Sequence, residues 1–251
     1  MPQLSVVVPC FQCADVIGAS VDKLTSFLEG AGRSWEVVLV DDGSRDGTWQ
    51  VLTSRADGEQ VHAIRLPENR GKGRAVAEGM RVARGACRLF TDADLPYALE
   101  AVPRCVDIVE AGRFAVFGNR LLPDSDARAQ PWLRRHLGTG VRLVVGFLLG
   151  RRDVDTQCGL KAFSGPAAEI LFRDLRTDGF LFDVEVTLLL TRAGVPVDFV
   201  PVDLVNHDKS TVRFFSTGLR ALGEAWSIIR LRAADREKVA ALSALYRRSN
   251  T

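Results

Sequence analysis

Two carboxylates point to the chemistry. In Thr91-Asp92-Ala93-Asp94-Leu95-Pro96 the apolar run Cys87-Arg88-Leu89-Phe90 leads into aspartates spaced i, i+2, and a proline follows. Alternation along a strand aims residues i and i+2 to one side. Two ionised carboxylates held that close repel unless a cation lies between them. A hard divalent ion, Mg2+ or Mn2+, suits oxygen ligands and shares its shell with phosphates. The pair therefore reads as a grip on a metal carrying a sugar nucleotide. The plainer reading is a solvated turn at a strand end, because short D-x-D matches are common.

The elements that must position this pair follow a repeat. Leu4 to Pro9 and Trp35 to Val40 are near-continuous apolar runs, as buried parallel strands require, and Val61 to Leu66 and Arg88 to Thr91 continue the series. Between them, Asp15 to Leu28, Thr48 to Arg55 and Arg74 to Ala83 carry helical spacing. Repeated β-α-β predicts right-handed crossovers and a mostly parallel sheet covered on both faces. Ligands bind such sheets at the carboxyl ends of the strands, and Pro9, Asp41, Asp42, Asp92 and Asp94 all fall there. Further along, helices are expected at Pro103 to Ala111, Trp132 to Leu149, Gly165 to Phe172 and Phe182 to Ala193. Strands are expected at Phe114 to Gly118, Leu160 to Phe163 and Val197 to Val205. Residues 1–212 form the α/β domain of this reading and residues 213–251 a helical, amphipathic C-terminal appendage.

The 251 residues, 47% hydrophobic and 25% charged, suffice for one sizeable domain. A net charge of +2 gives no polyanion signal, so nucleic acid is not an expected partner. Arg-rich stretches from Arg113 to Arg152 and Arg213 to Arg248 suggest local sites for anions. Five cysteines without framework spacing, and Met1-Pro2-Gln3-Leu4 leading straight into a strand pattern, predict no secretory leader and a reducing cytoplasm. No apolar run reaches the roughly 18 residues that span a bilayer.

Taken together, Val8-Pro9-Cys10-Phe11, Val40-Asp41-Asp42-Gly43-Ser44, Asn69-Arg70-Gly71-Lys72-Gly73 and Asp92-Ala93-Asp94 resemble the inverting family 2 glycosyltransferases of GT-A fold. Asp155-Thr156-Gln157-Cys158-Gly159-Leu160-Lys161-Ala162-Phe163, followed by Phe182-Asp183-Val184-Glu185, resembles the dolichyl-phosphate glucosyltransferase branch. The resemblance implies a UDP-sugar donor, a polyprenyl phosphate acceptor, Mg2+ or Mn2+, and a peripheral place on the inner face of the membrane.

Physical chemistry fits those roles. Pro9 and Phe11 can wall the slot for a flat base, and Asp41 can accept from the uracil imide N–H. Asp41 and Asp42 can instead be turn aspartates that cap the next helix, the better reading for Asp42. Asp46 and Thr48 read as helix caps. Lys72 can face base or phosphate from a loop whose glycines allow close backbone approach. Asp94 is the firmer expected metal ligand, with Asp92 on the metal, a bridging water or the ribose. Arg120, Arg134 and Arg135 match positions that hold the acceptor phosphate, where the guanidinium fork suits two oxygens. An exposed helix face is an equal reading for the latter two. His207 and Lys209 resemble the loop that closes over the diphosphate. Asp183 stands where related transferases place a general base, or is a helix-start carboxylate complementing the dipole.

Two departures qualify the resemblance. Phe11-Gln12-Cys13 replaces the Tyr-Asn-Glu usual after the first strand, and the membrane helix common in close relatives is not seen in this sequence. The amphipathic stretches Trp132 to Leu149 and Phe214 to Arg232 would meet the lipid, unless they are ordinary core helices. A soluble hydroxyl acceptor is the nearest alternative, and a non-catalytic sugar-nucleotide binder a further one. A nucleotidyltransferase should carry a Gly-rich phosphate loop after the first strand, which Pro9-Cys10-Phe11-Gln12 is not. Cys10-x-x-Cys13 also invites a thioredoxin-like reading.

Overall fold

The structure, a computed structural model, describes residues 1–120, 122, 158–205 and 233–249. The chain alternates β1 (Leu4–Cys10), α1 (Ile17–Glu29), β2 (Trp35–Asp41), α2 (Thr48–Arg55), β3 (Val61–Arg65), α3 (Lys72–Val82) and β4 (Cys87–Phe90). Then come α4 (Ala101–Glu110), β5 (Ala115–Asn119), β6 (Lys161–Ser164), α5 (Gly165–Phe172), α6 (Phe182–Arg192), β7 (Asp198–Pro201) and α7 (Ala233–Ser249). The seven described strands form one sheet in the order β3-β2-β1-β4-β6-β5-β7, in which β6 alone runs antiparallel. This is the mostly parallel sheet that the β-α-β repeat predicts.

Strand alternation divides the apolar residues between two cores. Leu4, Val6 and Val8 of β1 face α1 and α4, whereas Val7 of β1 and Val38 and Val40 of β2 face α3 and α6. A strand buried on both faces must be apolar throughout, which is why β1 and β2 read as unbroken runs. The last helix belongs to the second core: Leu242 is fully buried in it, and Lys238 Nζ donates to the Asp174 carbonyl at 3.1 Å.

The amino edge of the sheet is locked by a polar knot. Glu36 of β2 is 1% exposed. It accepts from Ser5 Oγ (2.6 Å) and from the Arg84 backbone N–H (2.6 Å), Nε (2.9 Å) and Nη2 (2.7 Å). Burial raises the Glu36 pKa, but these donors outweigh it and leave the carboxyl below the usual glutamate range. A depressed carboxylate lends stability above its unfolded pKa and loses it as pH falls through the folded value. Glu36→Gln is expected to destabilise the protein by about 1–3 kcal/mol at neutral pH. The gap should narrow as pH drops below about 4, read from unfolding midpoints across that range.

Candidate active site

The carboxyl ends of β1, β2 and β3 open into a cleft of about 430 Å³, lined among others by Phe11, Gln12, Ser44, Arg65 and Asn69. Phe11 is 43% exposed, an apolar ring left uncovered where a flat base could stack. Pro9, half-buried and in register with Val40, is not among the lining residues, nor is Asp41. Asp41 is fully buried at the end of β2, where its Oδ1 accepts from the Ser44 N–H at 3.0 Å and so closes the turn. Arg65 Nε lies 3.0 Å from Asp41 Oδ2 but its N–H is not aimed there, so Oδ2 has an ion-pair partner and no hydrogen bond. A buried acceptor without a donor is costly, and a ligand N–H would relieve it once Arg65 gives way.

Asp42 is structural in another way from the helix cap expected of it. It accepts from the Arg70 and Gly71 N–H groups, each at 2.8 Å, and from Asn69 Nδ2 at 3.0 Å, and so fixes the loop that opens α3. Asp46 Oδ1 accepts from the Thr48 N–H at 3.0 Å at the start of α2. The loop before α3 also lies against Thr177 to Gly179. The Gly73 N–H donates to the Gly179 carbonyl, and Gly71, at φ +114, has no room for a Cβ, which would fall 2.5 Å from the Asp178 carbonyl oxygen. These contacts seat Lys72, the first residue of α3.

Lys72 Nζ stands 2.5 Å from Asp92 Oδ1. Burial works against its charge, but the carboxylates of Asp92, Asp183 and Asp94 outweigh burial and hold the ammonium above the usual lysine range. Asp92 and Asp94 thus both act on Lys72, from a local geometry other than the expected one. β4 stops at Phe90, and Asp92 to Leu95 is a tight turn closed by the Leu95 N–H on the Asp92 carbonyl (3.0 Å), with Leu95 at φ +43. A turn, not strand alternation, presents the two carboxylates. Asp183, in the first turn of α6, is 4% exposed and its Oδ1 accepts from Lys161 Nζ at 2.8 Å. Burial raises its pKa, opposed by the charges of Lys161 and Lys72.

A divalent ion fits this donor set. Among the described residues no three His, Cys, Asp or Glu gather round one point. Such an ion takes one or two carboxylates and completes its shell with phosphate oxygens and water, and Lys72 already lodges a positive charge beside Asp92.

The sequence model of Glycosyl transferase family 2 matches residues 5–173. The chain belongs to glycosyl transferase family 2. It is 31% identical over 243 residues to a dolichyl-phosphate beta-glucosyltransferase of Dictyostelium discoideum, covering 91% of this chain and 73% of that one. To the Saccharomyces cerevisiae enzyme of the same name it is 33% identical over 228 residues, covering 82% and 68%. A crystal structure of glucosyl-3-phosphoglycerate synthase from Mycobacterium tuberculosis with Mn2+ and UDP-glucose superposes with a TM-score of 0.62 at 18% identity, covering 97% of this chain and 79% of that one. That likeness carries the GT-A fold and nothing finer. This protein is thus a glycosyltransferase.

In this family 2 transferase Arg120 follows β5 and its charge reaches Tyr97, whose phenol burial pushes well above the usual range while Arg120 opposes the rise. Arg134, Arg135, His207 and Lys209, with the expected helices 132–149 and 214–232, lie outside the described residues. Cys10 and Cys13 are buried free thiols, packed in the core with the Cys13 N–H donating to Thr48 Oγ1 at 2.9 Å. No described helix is long and apolar enough to cross a membrane.

Four residues of the site carry no role in the sequence reading: Arg65, Tyr97, and, within the Asp155 to Phe163 signature, Gly159 and Lys161. A lysine inside the otherwise apolar run from Leu160 to Phe163 was the available signal for the last. Gly159 donates its N–H to Tyr97 Oη at 3.1 Å, and a Cβ placed on it would collide with Asp92 Oδ2. Gly159→Ala must therefore displace Asp92 or the turn before β6. A misplacement near 1 Å costs about 100-fold, and a loss of that size in kcat/KM with a preserved unfolding midpoint is the expected result.

Proposed function

We propose that this glycosyltransferase moves glucose from UDP-glucose to a polyprenyl phosphate with inversion, in the presence of Mg2+ or Mn2+. The observation that carries the reading is the meeting, at one edge of the sheet, of Lys72, Asp92, Asp94 and Asp183 beside an open aromatic-walled cleft. The similarity to dolichyl-phosphate beta-glucosyltransferases over most of the chain supports the choice of sugar and acceptor.

Phe11 stacks the uracil and Asp41 accepts its imide N–H as Arg65 withdraws. Lys72 faces the diphosphate. Asp94 and Asp92 would hold the divalent ion, which neutralises charge on the departing diphosphate. Arg120, with Arg134 and Arg135, binds the acceptor phosphate, and His207 and Lys209 close over the donor. A phosphate oxygen then attacks the anomeric carbon as the bond to UDP breaks on the opposite face, which gives a β-linked product. Residues 1–212, with α7 packed into their second core, form the catalytic body, and the stretches 132–149 and 214–232 bring it to the membrane as a peripheral protein on the cytoplasmic leaflet. The raised pKa of Asp183 favours a second reading, a hydroxyl acceptor that needs a base.

The test is a donor panel of UDP-glucose, UDP-galactose and GDP-mannose against dolichyl and undecaprenyl phosphate with Mn2+ or Mg2+, following release of nucleoside diphosphate. UDP release that requires both UDP-glucose and a polyprenyl phosphate is expected. No turnover with either lipid phosphate would overturn the acceptor.

A further inference from the structure

Lys161 is among the largest fully buried side chains of the protein, with 0% of its surface exposed. It opens β6, and its neighbours Leu160, Ala162 and Phe163 are buried and apolar. Its ammonium donates to Asp183 Oδ1 (2.8 Å) and to the Cys158 carbonyl (2.6 Å), and it lies 5.3 Å and 5.2 Å from the ring centres of Phe90 and Phe117. Packing does not account for such a pair. Burying two charges is expensive, and apolar residues of the same volume are often neutral or more stable in that place.

What the ammonium does is join two walls of the site. The Cys158 carbonyl heads the short turn whose Gly159 presses on Asp92, the donor side. Asp183, in the first turn of α6, is the ammonium's other acceptor. One Asp183 oxygen is fixed, and no described residue donates to the other.

We propose that Lys161 is the positioning residue for Asp183: by holding Oδ1 and the Cys158 carbonyl together it sets the distance between the Asp92 turn and the acceptor-side carboxylate, and leaves Oδ2 to meet the acceptor. The inference rests on the reading that Asp183 contacts the acceptor. It gives Lys161 no contact with substrate.

The test is a double-variant cycle on the full chain with UDP-glucose, Mn2+ and a polyprenyl phosphate, using Lys161→Met, Asp183→Asn and both together. If Lys161 acts through Asp183, each single change lowers kcat about tenfold, and the double variant stays within about twofold of Asp183→Asn. UDP affinity, measured by calorimetry, moves less than about threefold in Lys161→Met. A double variant about a hundredfold below wild type, the product of the singles, overturns the proposal while Asp183 keeps its role. An Asp183→Asn variant with wild-type kcat overturns the reading of Asp183 and the proposal with it.

Lys161→Arg guards against a Met variant that folds poorly. Arg keeps the charge and both hydrogen bonds but overfills the core, whereas Met matches the volume. Positioning requires Arg to retain more kcat than Met. A purely space-filling lysine gives the reverse order, which also overturns the proposal.

Discussion

Asp94→Asn removes nearly all transfer, by about 1,000-fold in kcat, and Lys72→Met splits ion and donor binding in opposite directions. The first expectation comes from charge. The departing diphosphate gains negative charge in the transition state, and losing one preorganised group that stabilises such charge costs about 10²–10³ in rate. Asp94, the firmer of the two expected metal ligands, supplies half of the carboxylate pair that would hold the ion, and an amide oxygen without charge is a poor substitute. The second comes from the ammonium 2.5 Å from Asp92. Lys72 pairs with Asp92, a carboxylate that an incoming ion would use. Removing it takes away the ammonium that competes for Asp92, so Mn2+ alone, titrated by paramagnetic resonance, should bind Lys72→Met more tightly than wild type. UDP in the presence of Mn2+ should bind it about tenfold more weakly, because a phosphate contact is lost. Weaker binding of both would mean that Lys72 supports the carboxylates and does not compete with the ion.

The strand ends were legible because their chemistry is local. An apolar run that stops at Asp41 or Phe90 and turns polar announces a sheet edge, and β1 to β4 and their crossover helices stand where the pattern put them. Boundaries moved where a distant residue decides them. α3 begins at Lys72, ahead of the Arg74 read from spacing, because the Asp178 and Gly179 carbonyls accept N–H groups of its first turn. The strand read over Val197 to Val205 pairs with β5 only through Asp198–Pro201, and Leu204 makes a separate bridge to Tyr97.

Within the site the residue types were readable and their partners were not. Asp92 in a sequence does not show that Lys72 is 20 residues behind it in the chain and 2.5 Å away in space, or that Gly159 leaves room for its carboxylate. The D-x-D pair was found on a premise about alternation that the structure replaces with a turn. Its spacing was informative because a tight turn also brings residues i and i+2 near one cation. Lys161 stands in the sequence only within the Asp155 to Phe163 signature, with no role of its own, and only the three-dimensional pairing with Asp183 shows that it points inward.

Asp183→Asn separates the two acceptor chemistries by its size. With a lipid phosphate acceptor the nucleophile is already anionic near neutral pH, since a phosphate monoester has a second pKa of about 6. No proton has to leave during attack, so the carboxylate can only orient its partner, and the expected loss in kcat is about tenfold. With a hydroxyl acceptor the proton must leave as the bond forms. A positioned base supplies about 10²–10⁴ in rate, and an amide in its place forfeits most of that. The environment of Asp183 suits either role, because burial raises its pKa while Lys161 and Lys72 oppose the rise and keep a counter-charge at hand. The variant must be followed by thermal unfolding as well as kinetics, because Asn leaves Lys161 Nζ, fully buried, against a neutral partner. The comparison is then between kcat ratios for the two acceptor classes at matched folded fraction. A drop of about tenfold with dolichyl phosphate and no activity on sugar or glycoside hydroxyls marks Asp183 as an orienting group. A drop beyond about 1,000-fold on a hydroxyl acceptor that the wild type uses well makes it the base, and the phosphate acceptor would have to be given up.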